Sequence, residues 1–148
     1  DSKQTHMISR LEGYKRLIKE RKLKEYILSI PYENRKDRLQ SDFENFIKKY
    51  PKLDGICFAT NYLAVGGLEV MRKLGLKIPS EIAVIAFDDN EVLRLFQPGI
   101  TAVEQPLEEM AKLIIDRLLV DLKLGKSSEK TIHKEIPSHL IVRESTGD

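Results

Sequence analysis

The sequence predicts an α/β fold: a doubly wound, mostly parallel sheet flanked by helices. Three observations predict it. Helix-period and strand-period segments alternate along the chain, which is the pattern of βαβ units. Two segments, Gly55 to Ala59 and Ile82 to Phe87, are short continuous apolar runs, as in strands covered on both faces. The chain has 148 residues, 41% hydrophobic and 32% charged, which fits one soluble globular domain and not a disordered chain.

The elements follow in order. Met7, Leu11, Tyr14 and Ile18 recur on one helical face and predict a helix from about Thr5 to Lys22. Tyr26 to Ile30 reads as a strand ended by Pro31. Leu39, Phe43, Phe46, Ile47 and Tyr50 mark a second amphipathic helix, stopped before Pro51. After the Gly55 strand, Asn61 opens a third helix with a wide apolar stripe, Leu63 to Leu74, and Gly75 is placed to end it. Gly66-Gly67 lies inside that pattern and reads as close packing, not as a phosphate loop. The strand Ile82 to Phe87 runs straight into two carboxylates, Asp88 and Asp89.

Thr101 to Gln105 is a short extended segment, and Pro106 suits a first helical position. Glu108 and Glu109 stand where the helix dipole favours anions. This helix, Pro106 to Leu124, is apolar most of the way around, so more than one side of it is expected to be covered. Residues 125–130 read as a surface loop. The tail reads as two β-like stretches, Thr131 to Ile136 and His139 to Val142, split by Pro137.

Composition excludes several classes. Twenty-five basic and 23 acidic residues leave a net charge of +2, a poor basis for nucleic-acid binding by this chain alone. The longest uninterrupted apolar run, Ile82 to Phe87, is far short of the ~20 residues of a membrane helix. Cys57 is the one cysteine, so no internal disulfide forms and no cysteine metal spacing exists. His6, His133 and His139 share no metal spacing, and no Ser/His/Asp triad can be assembled, so no metal or cofactor is expected. The chain starts without Met and runs directly into a helical pattern, where an α/β domain normally opens on a strand; a fragment is expected.

Ligands of open parallel sheets bind outside the carboxyl ends of the strands. Three positions there stand out. Asn61 opens a helix just after a strand, as an N-cap or as a ligand contact; its amide can serve both ways. Asp88 and Asp89 repel each other, so a compensating partner is expected. They suit a turn and cap with Asn90, or acceptance from vicinal sugar hydroxyls. A phosphoryl-accepting Asp would need a further Asp two residues on, where Asn90-Glu91 offers none. Arg10 flanks the buried face of the first helix. It is either a surface arginine with a packed stem, or a hydrogen-bonding fork aimed at the crevice or at Asp88. Tyr32, just past Pro31, could stack on a ligand or stand as an ordinary loop tyrosine.

A set of motifs now falls in order. Asp54-Gly55-Ile56-Cys57-Phe58-Ala59-Thr60-Asn61 with Ala64-Val65-Gly66-Gly67-Leu68 resembles the LacI/GalR family of bacterial transcription regulators. So do Leu74-Gly75-Leu76-Lys77-Ile78-Pro79, Ile82 through Asp89, Ile100-Thr101-Ala102-Val103-Glu104-Gln105-Pro106, and Leu140 through Thr146. Arg10-Leu11-Glu12-Gly13-Tyr14 fits the family's Arg-x-x-Gly-aromatic helix. Each motif alone is weak; the ordered set is specific.

The resemblance implies a periplasmic-binding-protein-like lobe, part of a two-lobed effector domain that is incomplete here. Residues 1–100 would form the C-terminal lobe. Residues 101–124 would be a crossover strand and helix belonging to the N-terminal lobe, and 125–148 the return. Arg10, Asn61 and Asp88 match effector-contacting positions, Tyr32 an aromatic one, and Gln105 lies near the crevice. One departure stands out: Tyr62 replaces the Asp that usually follows the Asn.

The implied function is a non-catalytic, cytoplasmic sensor. A sugar or sugar derivative would bind between the lobes, with a homodimer expected. Operator DNA would be read by a helix-turn-helix outside this chain, and no membrane would be involved. The alternative is a periplasmic sugar-binding protein of a transport system, separated from the first by what lies upstream: a helix-turn-helix or a signal peptide.

Overall fold

The computed structural model describes residues 4–124 and 133–147. The elements run α1 (Thr5–Glu20), a 3-10 turn Tyr32–Asn34, α2 (Arg35–Lys49), β1 (Gly55–Phe58), α3 (Asn61–Leu74), β2 (Ala83–Phe87), α4 (Glu91–Leu95), β3 (Thr101–Glu104), α5 (Leu107–Leu124), β4 (His139–Ile141) and a 3-10 turn Glu144–Thr146. One sheet has the order β1-β2-β3-β4. The first two pairings are parallel, with Gly55 opposite Ala83 and Ile85 opposite Thr101. β4 adds antiparallel to β3, with Ala102 opposite Ile141. This is the mostly parallel sheet flanked by helices that the alternating periods predict.

Side chains alternate across the sheet, so Phe58, Val84 and Ala86 share one face. There they meet Phe43 of α2 and Leu68 and Met71 of α3 in a continuous buried cluster. Gly67 permits this: a Cβ there would come within 2.3 Å of the Phe58 ring. α3 ends as its sequence predicts, with Gly75 left-handed at φ 72°.

Several expectations need correction. Tyr26 to Ile30 forms no strand. A strand exists only with a partner, and the backbone of Tyr26 is engaged elsewhere: its N–H donates to the Tyr14 hydroxyl (3.0 Å), and that hydroxyl donates to its carbonyl (3.1 Å). The strands are also less covered than continuous apolar runs predict. In β1, Gly55 and Cys57 are exposed, and in β2 only Val84 and Ala86 are buried. A five-residue helix, α4, was not foreseen; Asn90 caps it, its Oδ1 accepting from the Leu93 N–H at 3.0 Å. Five residues are too few to show a helical period. In the tail, His139–Ile141 is a strand, whereas 133–136 is not; the surface loop 125–130 and residues 131–132 lie outside the described residues.

β3 sits inside this sheet, between β2 and β4. Its residues pair with both neighbours, Thr101 opposite Ile85 and Val103 opposite Leu140. The chain beyond β4 is bolted across β2 and β3. Ser145, fully buried, donates to Val84 O (2.6 Å) and accepts from the Thr101 N–H (2.8 Å). The Thr101 hydroxyl in turn bonds both the N–H (2.8 Å) and the carbonyl (3.0 Å) of Arg143.

Candidate functional site

The carboxyl ends of β1, β2 and β3 converge on one carboxylate. Asp88 follows β2 in the left-handed region, at φ 68°. That conformation is uncommon for a residue with a Cβ, though Asp and Asn tolerate it best. Its N–H donates to Val103 O of β3 at 3.0 Å, which ties the turn to the neighbouring strand. Arg10 reaches it from α1: Nη2 lies 3.3 Å from Oδ1 and Nη1 3.5 Å from Oδ2. Nη1 also donates to Ala59 O, just past β1, at 2.5 Å. The guanidinium lies over the Phe87 ring, 4.3 Å from its centroid, a favourable cation–π placement. From the end of β3, the Gln105 amide donates to the same Oδ1.

The pair is only partly shielded, with side chains 14% (Arg10) and 28% (Asp88) exposed. It therefore keeps polar atoms within reach of a ligand. Its two charges offset each other, so the cluster offers donors and acceptors with little net charge.

Asp89 points elsewhere. Arg143 grips it with two bonds, Nη1 to Oδ1 (2.8 Å) and Nη2 to Oδ2 (2.7 Å), and donates to Ile100 O as well. The Arg143 hydrogen bonds hold the Asp89 carboxyl below its ordinary range, against the opposing effect of burial. So the two adjacent carboxylates are each neutralised, by arginines from opposite ends of the chain. Arg143 was not foreseen as a partner, although the need for one was legible in Asp88-Asp89.

Of the five candidates, Arg10, Asp88 and Gln105 form one hydrogen-bonded cluster. Asn61 is the first residue of α3, two positions past the Ala59 carbonyl that Arg10 holds, and it is exposed. It is not the N-cap; Thr60 occupies that position without a side-chain cap bond. Tyr32 is 47% exposed, and its ring stands edge-on to Tyr62, 5.9 Å between centroids. Tyr62, the residue that departs from the family pattern, thus stands beside Tyr32. Among the described residues, no group of three or more His, Cys, Asp or Glu could hold a metal ion, and no helix is long and apolar enough to cross a membrane.

The family described as the periplasmic binding protein-like domain matches residues 1–146. The chain belongs to that family. Curated relatives that share the domain are LacI-type transcription regulators, as the ordered motifs imply. The ribose operon repressor of Halalkalibacterium halodurans is 28% identical over 137 residues, 93% of this chain and 40% of that protein. The HTH-type transcriptional regulator KdgR of Bacillus subtilis is 32% identical over 111 residues, 74% of this chain and 32% of that protein. This domain therefore spans well under half the length of these relatives. Among solved structures, a transcriptional regulator CelR–cellobiose complex superposes with a TM-score of 0.74 at 28% identity, covering 93% of this chain and 42% of that one. A LacI-family sugar-binding regulator from Escherichia coli shares the fold, with a TM-score of 0.81 at 22% identity over 99% of this chain and 52% of that one.

Proposed function

We propose that this domain is the effector-sensing part of a bacterial transcription regulator of LacI type, and that its effector is an uncharged sugar. The observation that carries the reading is the Arg10–Asp88–Gln105 cluster at the carboxyl ends of three strands. Ligands of parallel sheets bind at that edge. Asp88 accepts from sugar hydroxyls, Arg10 and Gln105 donate to them, and the Asn61 amide does either. Because Asp88 already offsets the charge of Arg10, a neutral polyol fits better than an anion. Tyr32 supplies an apolar ring face at the rim. The cellobiose found with one relative and the ribose operon of another agree with this ligand class.

The domain senses and does not catalyse. Its effector shifts DNA affinity only as far as it binds the two arrangements of the regulator differently. Operator DNA is bound by another part of the parent protein, in the cytoplasm. α5 and its neighbourhood serve the other lobe and a second subunit. The test is titration of the intact regulator with a panel of neutral mono- and disaccharides by calorimetry, repeated with Arg10→Ala and Asp88→Ala. Binding that survives both substitutions unchanged would overturn the site.

A further inference from the structure

The rings of Tyr32 and Tyr62 meet at 81°, with 5.9 Å between centroids. They come from two different elements. Tyr62 stands in the first turn of α3, which the Ala64 N–H closes by donating to Thr60 O at 3.1 Å. Two residues on, that helix enters the core through Ala64 and then Leu68, both buried. The Tyr62 side chain is half-buried and its hydroxyl oxygen is wholly covered. Backbone and ring of Tyr62 are thus both fixed.

Tyr32 is held differently. It opens the 3-10 turn Tyr32–Asn34 behind Pro31, and Pro31, Tyr32 and Glu33 are all exposed. Short 3-10 pieces have poorer hydrogen-bond geometry than an α-helix. An exposed side chain on such a turn has about three staggered χ1 wells open to it. A ligand that stacks on the ring uses one of them. Contact with the fixed Tyr62 ring favours one well over the others. At this angle the edge of one ring meets the face of the other, an arrangement that aromatic pairs prefer at separations of about 4.5–7 Å.

We propose that Tyr62 is a positioning residue for the effector site: it holds the Tyr32 ring in the orientation that receives a sugar, and acts on the sugar through Tyr32 alone. The proposal rests on the sensor reading above. Its size follows from populations. Apparent affinity scales with the fraction of protein in the binding-competent arrangement. With about three χ1 wells equally open, that fraction is about a third. An edge-on aromatic pair shifts a population roughly 2- to 10-fold. Tyr62 therefore raises sugar affinity by roughly that factor, by ordering Tyr32 before the sugar arrives.

The experiment is a double-mutant cycle by calorimetry on the intact regulator, with the tightest-binding sugar of the neutral mono- and disaccharide panel as probe. Tyr62→Ala and Tyr62→Leu should each weaken binding roughly 2- to 10-fold, and Tyr62→Phe, which keeps the ring, should restore it. In a Tyr32→Ala background, Tyr62→Ala should cost nothing further. Equal losses in both backgrounds give Tyr62 a role that does not pass through Tyr32 and overturn the proposal. A second readout needs no ligand. With ring-13C-labelled tyrosine, the Tyr32 ring signals, assigned by their loss in Tyr32→Phe, should move to free-tyrosine positions in Tyr62→Leu and stay in Tyr62→Phe. Signals unmoved in Tyr62→Leu overturn the proposal. If no sugar of the panel binds the unaltered protein, the sensor reading fails and the proposal falls with it. If a sugar binds and Tyr62→Ala leaves its affinity unchanged, the proposal alone falls.

Discussion

Arg10 and Asp88 stand 78 positions apart in sequence and meet at 3.3 Å across the carboxyl ends of the sheet. Gln105 shares the same carboxylate oxygen, so three elements, α1, β2 and β3, are joined through one side chain. A ligand that takes acceptor capacity from Asp88 competes with Gln105, and Gln105 leads directly into α5. A change at that carboxylate therefore reaches the start of α5 through Gln105.

Asp88→Asn separates charge from shape. Asn tolerates the left-handed backbone as Asp does, so the turn itself should be kept. The amide loses the ion pair with Arg10 and one acceptor oxygen. Hydrogen bonds to charged groups are worth about 1.5–3 kcal/mol, so effector affinity in the intact regulator should fall roughly 10- to 100-fold. Thermal unfolding of the same variant is the control: a large loss of stability alongside lost binding would make Asp88 structural.

Arg143 and Asp89 predict a pH dependence. The folded carboxyl titrates below its ordinary value. Its stabilisation is thus fully present above the unfolded carboxyl value of about 3.9 and is lost as pH falls through the lower folded value. Asp89→Asn should lower the urea midpoint by a constant amount between pH 5 and 7, roughly, with the gap closing below about pH 4. Arg143→Met should cost about 1–3 kcal/mol at neutral pH, because it leaves the Asp89 carboxylate without its two charged hydrogen bonds. A gap between Asp89→Asn and the unaltered protein that persists undiminished at low pH would refute the linkage.

The sheet and its helices were legible because the periods of α1, α2, α3 and the apolar cores of β1 and β2 are strong local signals. The site was legible where chemistry concentrates in sequence: two consecutive carboxylates after an apolar strand, and an arginine on the margin of a buried helix face. The partner of Asp89 was hidden because Arg143 lies 54 residues away and no local pattern carries that pairing. Tyr26 to Ile30 misled for the opposite reason. Its apolar run is a strand signal, but ladder formation depends on a neighbour, and the segment has none in the described sheet. Asn61 suits a cap or a ligand contact by residue type, and the cap position falls one residue earlier, at Thr60.

Gly66 and Gly67 should respond differently to alanine. At Gly67 a Cβ meets the Phe58 ring at 2.3 Å, and that ring is wedged against Phe43 in the core. Gly67→Ala should destabilise by about 1–3 kcal/mol through overpacking. At Gly66 the nearest atoms are the Leu39 methyls at 2.6 and 3.0 Å, the far end of a side chain that can move. The helical preference for Ala, about 1 kcal/mol, should roughly cancel the adjustment there. Equal effects at the two positions, measured by urea unfolding, would show that the ring can yield as easily as the leucine.

α5 carries its apolar residues on the outside. Leu107, Ile114, Leu118 and Leu122 are 65%, 60%, 55% and 75% exposed, while Arg117 and Asp121 pair at 3.1 Å on the polar stripe. An exposed patch of this extent on a single helix is costly in water and marks a contact surface. If a second subunit covers it, the intact regulator should sediment as a dimer, and Leu118→Glu should weaken that dimer at least tenfold, about 1.4 kcal/mol. A buried leucine is worth about 1.5–3 kcal/mol, so replacing it with a charge should exceed this bound. Charge reversal at Asp116, exposed and on the opposite side of the helix from Leu118, is the control: Asp116→Lys should leave the dimer largely intact. A Leu118→Glu protein that remains dimeric while binding effector normally would place the subunit contact elsewhere, leaving α5 to cover the other lobe alone.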